Sequence, residues 1–417
     1  MKTQLLIIGG GAAGLMAAIK TADAGINCII AESMGKPALK LGLTGKGRGN
    51  LTNTAQYKDF LSHFNNRGRF LKTAFKRFFN SDLLDFFHSI GLETVNERGG
   101  RVFTASGKAP EISRRLIKCA SRKGVKILTD TRIVKLESKD NCCYKALTEN
   151  NKLIEAEAFI IATGGKSYPL TGSTGDGYKL AENLGHKINT LYPSLVGLKP
   201  ARKVPAKLEG LTLKNIEATL LIDEKKAESL MGEMTFLDGY LAGPLIISLS
   251  RLAVPALSLK KNVEVSMDLK PALDHKKLDN RILRDLDKKK IKTLDHLLKG
   301  LIPASLIELC YKTCKINPSD VCAEFKGEKR KVLRNWLKDL RFKIVAAGPW
   351  SQAIVTGGGV STAEIDPVTM RSKLIDNLYF AGEVIDIDAD TGGYNLQAAF
   401  STGWLAGQSA SEQILSK

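Results

Sequence analysis

Residues 4–8 form an apolar run with strand character. Residues 15–24 are small and apolar over a helix-length stretch that Gly25 closes. A second apolar run covers 26–31, and Glu32 stands at its end. This alternation predicts a strand–helix–strand unit at the head of a parallel sheet. Apolar pairs at 70/71, 74/75 and 78/79, with basic residues between them, predict an amphipathic helix over 69–79. Ser81 is placed to cap a second helix reaching Ile90, with Phe86 and Phe87 inward. At that spacing the phenylalanines read as core rather than as a base-stacking platform. Residues 111–123 predict a basic helix, and 125–128 and 133–136 predict strands. A buried strand at 159–162 runs into Gly164-Gly165, and a helix opens at Tyr178.

The pattern changes at Tyr192-Pro193. From 195 to about 269 the apolar positions come in short alternating runs, and 212–221, 246–250 and 262–267 read as strands. Pro271 opens a lysine-rich helical stretch that includes Lys288-Lys289-Lys290. In 329–340, Val332, Leu333, Trp336, Leu337 and Leu340 fall on one helical face. Glycine-punctuated strands then return. Residues 353–360 read as a strand running into a glycine turn, 378–383 as a strand ending in Gly382-Glu383, and a last helix reaches Ala410. The first and last segments thus belong to one discontinuous domain, 1–192 with 345–417. A β-rich domain is expected at 193–270 with 321–344, and a small helical insertion at 271–320.

Composition changes this picture little. The 417 residues suffice for two or three domains, and 43% hydrophobic with 25% charged residues is ordinary for a globular protein. No apolar run reaches the length of a membrane span. Lys2 and the apolar run after it imitate a secretory leader, but three consecutive glycines interrupt the run. Seven cysteines without a CxxC pair fit reduced thiols in a cytoplasm, and neither Cys142-Cys143 nor Cys310 with Cys314 has metal-ligand spacing.

Charge is more informative. The net charge is +19. Residues 66–126 carry 14 basic and 5 acidic side chains, residues 270–345 carry 20 and 10, and the remainder is balanced. A basic excess confined to two segments points to a surface that meets a polyanion such as RNA.

The glycine-rich stretches carry the chemistry. Gly9-Gly-Gly-Ala-Ala-Gly14, between a strand and a helix, is a dinucleotide fingerprint. Gly9 makes the tight turn, Gly11 admits a pyrophosphate, Gly14 lets helix and strand close up, and Glu32 is spaced to take a ribose hydroxyl. Residues 40–53 follow as a glycine-rich loop with Lys46 and Arg48, suited to a phosphate or an electron-rich ring. A strand ending in Ala162-Thr-Gly-Gly165 is a second dinucleotide contact of many flavoproteins. Gly382-Glu383 would set a carboxylate on a ribityl chain. The helix entered at Tyr394 would turn its positive end to the pyrimidine side of a flavin. Asp386, Asp388 and Asp390 resemble a calcium loop, but the terminal glutamate is lacking.

Thr356-Gly-Gly-Gly-Val360, Glu364-Ile-Asp-Pro-Val-Thr-Met370, Tyr379-Phe-Ala-Gly-Glu383 and Gly392-Gly-Tyr-Asn-Leu-Gln397 resemble the bacterial flavoproteins of the BaiN/YhiN type, also called aminoacetone-oxidase-family FAD enzymes. The resemblance runs from Met1 to about Gly407. It implies an α/β fold: a discontinuous Rossmann-like FAD-binding domain of the glutathione-reductase type, an inserted β-rich domain and a small helical domain. Carried over by motif, the FAD contacts are Gly9, Gly11, Gly14, Glu32, Gly164, Gly165, Gly382, Glu383, Asn395 and Leu396; Val134 joins this set. Family members have been linked to small-amine oxidation, to reductive steps on steroid acids and to dihydrouridine in ribosomal RNA. Two positions depart from the family: Gly49 stands where cysteine is usual, and Phe236–Pro244 has Asp238 for its histidine and Ala242 for its serine.

The expectation is an FAD-dependent oxidoreductase that moves hydride through flavin N5, with substrate held between the FAD and β-rich domains. No second GxGxxG marks a separate NAD domain, so NAD(P)H would visit the flavin transiently. Lys46, Arg48 and Tyr394 are candidate polar groups at the reacting centre. A uracil in ribosomal RNA is one substrate reading. A small amine or enone is another, and a flavin-containing RNA-binding factor without turnover is the third.

Overall fold

In a computed structural model, residues 1–287, 293–317, 325 and 327–417 are described. The Lys288–Lys290 run and the expected 320/321 boundary lie outside them. The chain divides into two compact units, Met1–Ser194 with Trp350–Lys417, and Leu195–Pro349.

The first unit is built on a parallel sheet. The strand Lys2–Ile8 lies between Cys28–Ala31 and Leu153–Ile161, parallel to both. Lys126–Leu128 extends the sheet beyond Cys28–Ala31, and Leu378–Phe380 pairs with the far end of Leu153–Ile161. The hairpin Ile133–Lys139 with Cys142–Thr148 adds an antiparallel edge. Leu5–Ile8 and Phe159–Ile161 are buried, as expected of strands covered on both faces. The helices Ala12–Asp23 and Tyr394–Leu415 lie so close that a Cβ on Gly403 would come within 2.3 Å of the Ala13 carbonyl oxygen. Apolar packing over the same core buries Phe60, Phe64, Phe75, Phe87 and Phe400.

Within the first unit, local structure departs from the sequence expectations at several points. The helix expected over 69–79 shrinks to Lys72–Arg77, after a 3-10 turn at Asn65–Arg69, because Phe78 turns extended. The next helix, Asn80–Ser89, is capped not by Ser81 but by the Asp82 carboxylate, which accepts from Phe79 N–H at 2.7 Å. Tyr192-Pro193 lies within the strand Ile188–Ser194, paired antiparallel with Val355–Val360, and the boundary between the units falls directly after that strand. The glycines 357–359 therefore sit in a strand rather than a turn.

The second unit contains a closed antiparallel barrel, in the order Leu198–Pro200, Tyr240–Ala242, Lys225–Leu237, Thr212–Ile222, Val263–Asp268, Leu340–Ala347. Residues 246–250, expected as a strand, belong instead to the helix Pro244–Ser258. Pro244 starts it, and a short buried apolar run carries no period that separates the two states. Helices His275–Leu286, Leu294–Lys299, Ala304–Cys314 and Gly327–Lys338 belong to this same unit. In the last of these Leu333, Trp336 and Leu337 are buried, while Val332 is exposed and Leu340 has passed into the barrel.

Candidate functional site

The site grows from the C-terminal ends of the parallel strands. Gly9 follows the first strand at φ +104, and a Cβ there would lie 2.5 Å from the Ala162 carbonyl oxygen. At Gly14 a Cβ would lie 1.9 Å from the Gly9 oxygen, so the helix can close on the turn only with glycine. Gly11 is different. It is the N-cap of Ala12–Asp23 at φ −79 and ψ −167, an extended backbone open to any residue, and its Cβ would meet nothing within 4 Å. No side chain caps that helix and no acid lies in its first turn. Free N–H groups and open space above Gly11 fit a pyrophosphate.

Glu32 is buried at the end of its strand. One carboxylate oxygen accepts from Gly10 N–H at 2.8 Å and the other from Met34 N–H at 2.8 Å. These bonds aim it across the turn and leave acceptor capacity for ribose hydroxyls. The Thr131 N–H donates to the Glu32 carbonyl, so the segment leading into Val134 runs beside this rim. The Val134 side chain is itself exposed.

Four distant segments meet at Glu383. Its Oε1 accepts from Thr356 N–H at 2.7 Å and from the Ser167 hydroxyl at 2.9 Å, and its Oε2 accepts from the Lys40 ammonium at 2.7 Å. Gly164, at φ +72, and Gly165 bring the chain here, and a Cβ on Gly165 would strike the Thr356 hydroxyl at 2.2 Å. Gly382, at φ +77, lies against Ala13. The buried Tyr178 hydroxyl donates to the Glu383 carbonyl at 3.3 Å, and burial pushes that phenol well above its usual range.

The loop at 45–53 and the start of the last helix come together. Thr52 Oγ1 donates to Gln397 Oε1 at 2.6 Å, and Asn53 Nδ2 to the Gly392 carbonyl at 3.2 Å. Gly393, at φ +101, caps Tyr394–Leu415 without a side-chain cap or an early acid, so this helix end also suits developing negative charge. Asn395 spends its amide on the preceding loop, accepting from Ala389 N–H at 2.8 Å and donating to the Ala389 carbonyl at 2.9 Å. Leu396 packs half-buried against the core. Tyr394 is buried under His63, ring on ring at 3.8 Å, and burial pushes its phenol up to about 12. Lys46 is exposed at φ +56. Arg48 turns away into an ion pair with Glu97 and lies over Phe103 at 4.3 Å, and its guanidinium holds the Glu97 carboxyl below the usual range.

Asp386, Asp388 and Asp390 go to separate partners. Asp386 meets Arg67 and Asn189, Asp388 accepts from Ser194 at 3.1 Å, and Asp390 meets His63 Nδ1 at 2.8 Å. Among the described residues no three His, Cys, Asp or Glu side chains gather as a metal site. Burial raises the Cys28 and Cys143 thiols to about 12, so they are core residues rather than nucleophiles.

The two departures from the family pattern have structural causes. Gly49 is at φ +76, and a Cβ would lie 2.8 Å from Ile112 Cδ1 and 3.0 Å from Ala109 Cα. Asp238 at φ +52 and Gly239 at φ +76 form the two-residue turn between Lys225–Leu237 and Tyr240–Ala242. A double positive φ is what Asp-Gly supplies in a hairpin. Sequence reasoning gave no role to Lys40, Ser167 or Thr356, although Lys40 heads the 40–53 loop and Thr356 opens the 356–360 glycine motif.

The chain matches the family described as HI0933-like protein Rossmann domain over residues 3–409, and it belongs to that family. It is 33% identical over 411 residues to the 3-dehydro-bile acid delta(4,6)-reductase of Clostridium scindens, covering 98% of each chain. It is 28% identical over 404 residues to the ribosomal RNA dihydrouridine synthase of Escherichia coli, covering 97% of this chain and 96% of the relative. Among solved structures, a flavocytochrome c3 fumarate reductase shares its fold, with a TM-score of 0.52 at 18% identity over 99% of this chain and 79% of the other.

Proposed function

We propose that this member of the HI0933-like Rossmann family, an FAD-dependent oxidoreductase, reduces a carbon–carbon double bond conjugated to a carbonyl, and that its substrate is a uracil within structured RNA. The names of the two relatives support the bond class, since a delta(4,6) reduction in a 3-dehydro acid and the making of dihydrouridine both saturate such a bond. When bound, FAD supplies two-electron hydride chemistry. The chain's own residues bind and orient it. The Gly9–Gly14 turn would hold the pyrophosphate, Glu32 the ribose and Glu383 the ribityl chain. The open N-terminus at Gly393 would face the charge that reduction creates. NAD(P)H is the proposed reductant.

The observation that carries the RNA reading is where the positive charge lies. On the helix Pro110–Arg122 the side chains of Arg114, Lys118 and Arg122 make an exposed stripe, while Ile112, Leu116 and Cys119 are buried. Arg69, Lys72, Lys76 and Arg77, in the same basic segment 66–126, are exposed as well. Basic side chains left in water suit phosphate contacts, which carry affinity without reading sequence.

The test pairs two measurements. Anaerobic NADPH or NADH should bleach the flavin of the purified protein, and ribosomal RNA from deletion cells should lack a dihydrouridine that a plasmid copy restores. RNA of unchanged composition, with bleached flavin reoxidised by an enone, would instead establish the second reading, a small-molecule reductase, which the 33% identical relative favours. RNA binding with neither bleaching nor a lost dihydrouridine would leave a non-catalytic flavoprotein.

A further inference from the structure

Lys40 begins a short 3-10 turn at the head of the glycine-rich loop 40–53, 127 residues before Ser167. Its ammonium nevertheless reaches both Glu383, at 2.7 Å, and the Ser167 hydroxyl, at 2.5 Å. The Ser167 hydroxyl donates in turn to the other oxygen of the same carboxylate, and Thr356 N–H donates to that oxygen as well. Exposed lysine–carboxylate pairs swing freely and fix little. This pair is only 24% and 21% exposed, and it is cross-linked through a buried serine. The result is a carboxylate held from three directions by groups far apart in sequence. A carboxylate offers about four acceptor positions. Oε1 uses two of them on protein donors and Oε2 one on Lys40, so the open position lies on the oxygen that Lys40 holds.

We propose that Lys40 is a positioning residue of the cofactor site: it fixes Glu383 for the ribityl hydroxyls and balances that carboxylate's charge, so that the site tolerates the negative charge of reduced flavin. This rests on the FAD reading above. Without Lys40 the site would carry an unbalanced carboxylate, which opposes both cofactor retention and reduction.

The experiment titrates apo-protein with FAD by flavin fluorescence and measures the midpoint potential of the loaded protein. The variants are Lys40→Met, Lys40→Arg and Ser167→Ala, with thermal melting of each apo-protein as the fold control. Lys40→Met should weaken FAD binding about 30-fold, the scale of one charge-assisted hydrogen bond, and move the potential negative. Lys40→Arg should restore most of both. Ser167→Ala keeps both charges and should weaken binding by about three-fold, the scale of a neutral hydrogen bond. It decides the matter if Lys40→Met does not fold. Wild-type affinity and potential in Lys40→Met, or in Ser167→Ala where that variant decides, overturn the proposal. In Lys40→Met, weaker binding at an unchanged potential, or without rescue by arginine, also overturns it, because lost packing alone would do that. A wild-type protein that takes up no FAD overturns the cofactor reading and Lys40's role with it; wild-type binding with an indifferent Lys40 overturns the second alone.

Discussion

At Gly357 an added Cβ would lie 2.2 Å from the Tyr192 ring, and at Gly358 it would lie 2.2 Å from the Thr190 carbonyl oxygen. At Gly11, in the same unit, it would meet no atom within 4 Å. Both stretches are runs of three glycines. One run is glycine because the strand Val355–Val360 lies hard against Ile188–Ser194. The other, at its last position, Gly11, is glycine for no reason internal to the chain. A glycine whose removal the fold would tolerate is one that something outside the fold requires, and that is the physical case for a ligand at the first turn.

The comparison can be broken most directly at its packed end. Gly357→Val should destabilise the first unit by about 3 kcal/mol or more, because neither the Tyr192 ring nor the paired strand can yield. Urea denaturation of the apo-protein measures this, and a loss below about 1 kcal/mol would mean the strand pair is looser than its geometry states. At the open end Gly11→Val should leave apo-protein stability within about 0.5 kcal/mol of wild type while weakening FAD binding roughly 100-fold. A variant that keeps its flavin would remove the pyrophosphate from this turn. A smaller effect sharpens the packed end. His186 is buried just before Ile188–Ser194, with Ser372 at 2.9 Å from Nε2 and Glu364 beside Nδ1, and burial lowers its pKa below the ordinary 6.5. The unfolded chain therefore takes up a proton that the folded chain resists. This contribution to stability is present above about pH 6.5 and is lost as pH falls from there toward the folded pKa. Melting curves between pH 8 and 5 should fall more steeply for wild type than for His186→Gln; parallel curves would remove His186 from the acid response.

Much of the cofactor unit was legible beforehand. A strand, a glycine turn, a helix, a second strand and a terminal glutamate are all local, and each obeys a short-range rule. The motif glycines at 9, 14, 165 and 382 took positions where the fold needs them. Legibility failed where a longer range decides. Residues 246–250 carry no period to choose helix over strand, and the glycines 357–359 look like a turn until Tyr192 is laid against them. Arg48, a candidate group for the reacting centre, pairs with Glu97 and lies over Phe103, contacts that no local pattern announced. Asn395, carried over as a cofactor contact, braces residues 389 and 390.

By itself the sequence determined a strand, glycine turn and helix with a carboxylate at the end of the next strand, a discontinuous Rossmann-type unit around a β-rich insertion, and the confinement of surplus charge to two segments. These follow from periodicity, spacing and counting, which need only neighbours along the chain. Tertiary structure alone decided that Lys40, Ser167, Thr356 and Glu383 form one cluster, that Gly49 has no room for a thiol, and that Asp238 is a turn residue. Each depends on groups brought together from positions tens to hundreds of residues apart, or on a backbone angle, and no local pattern encodes either.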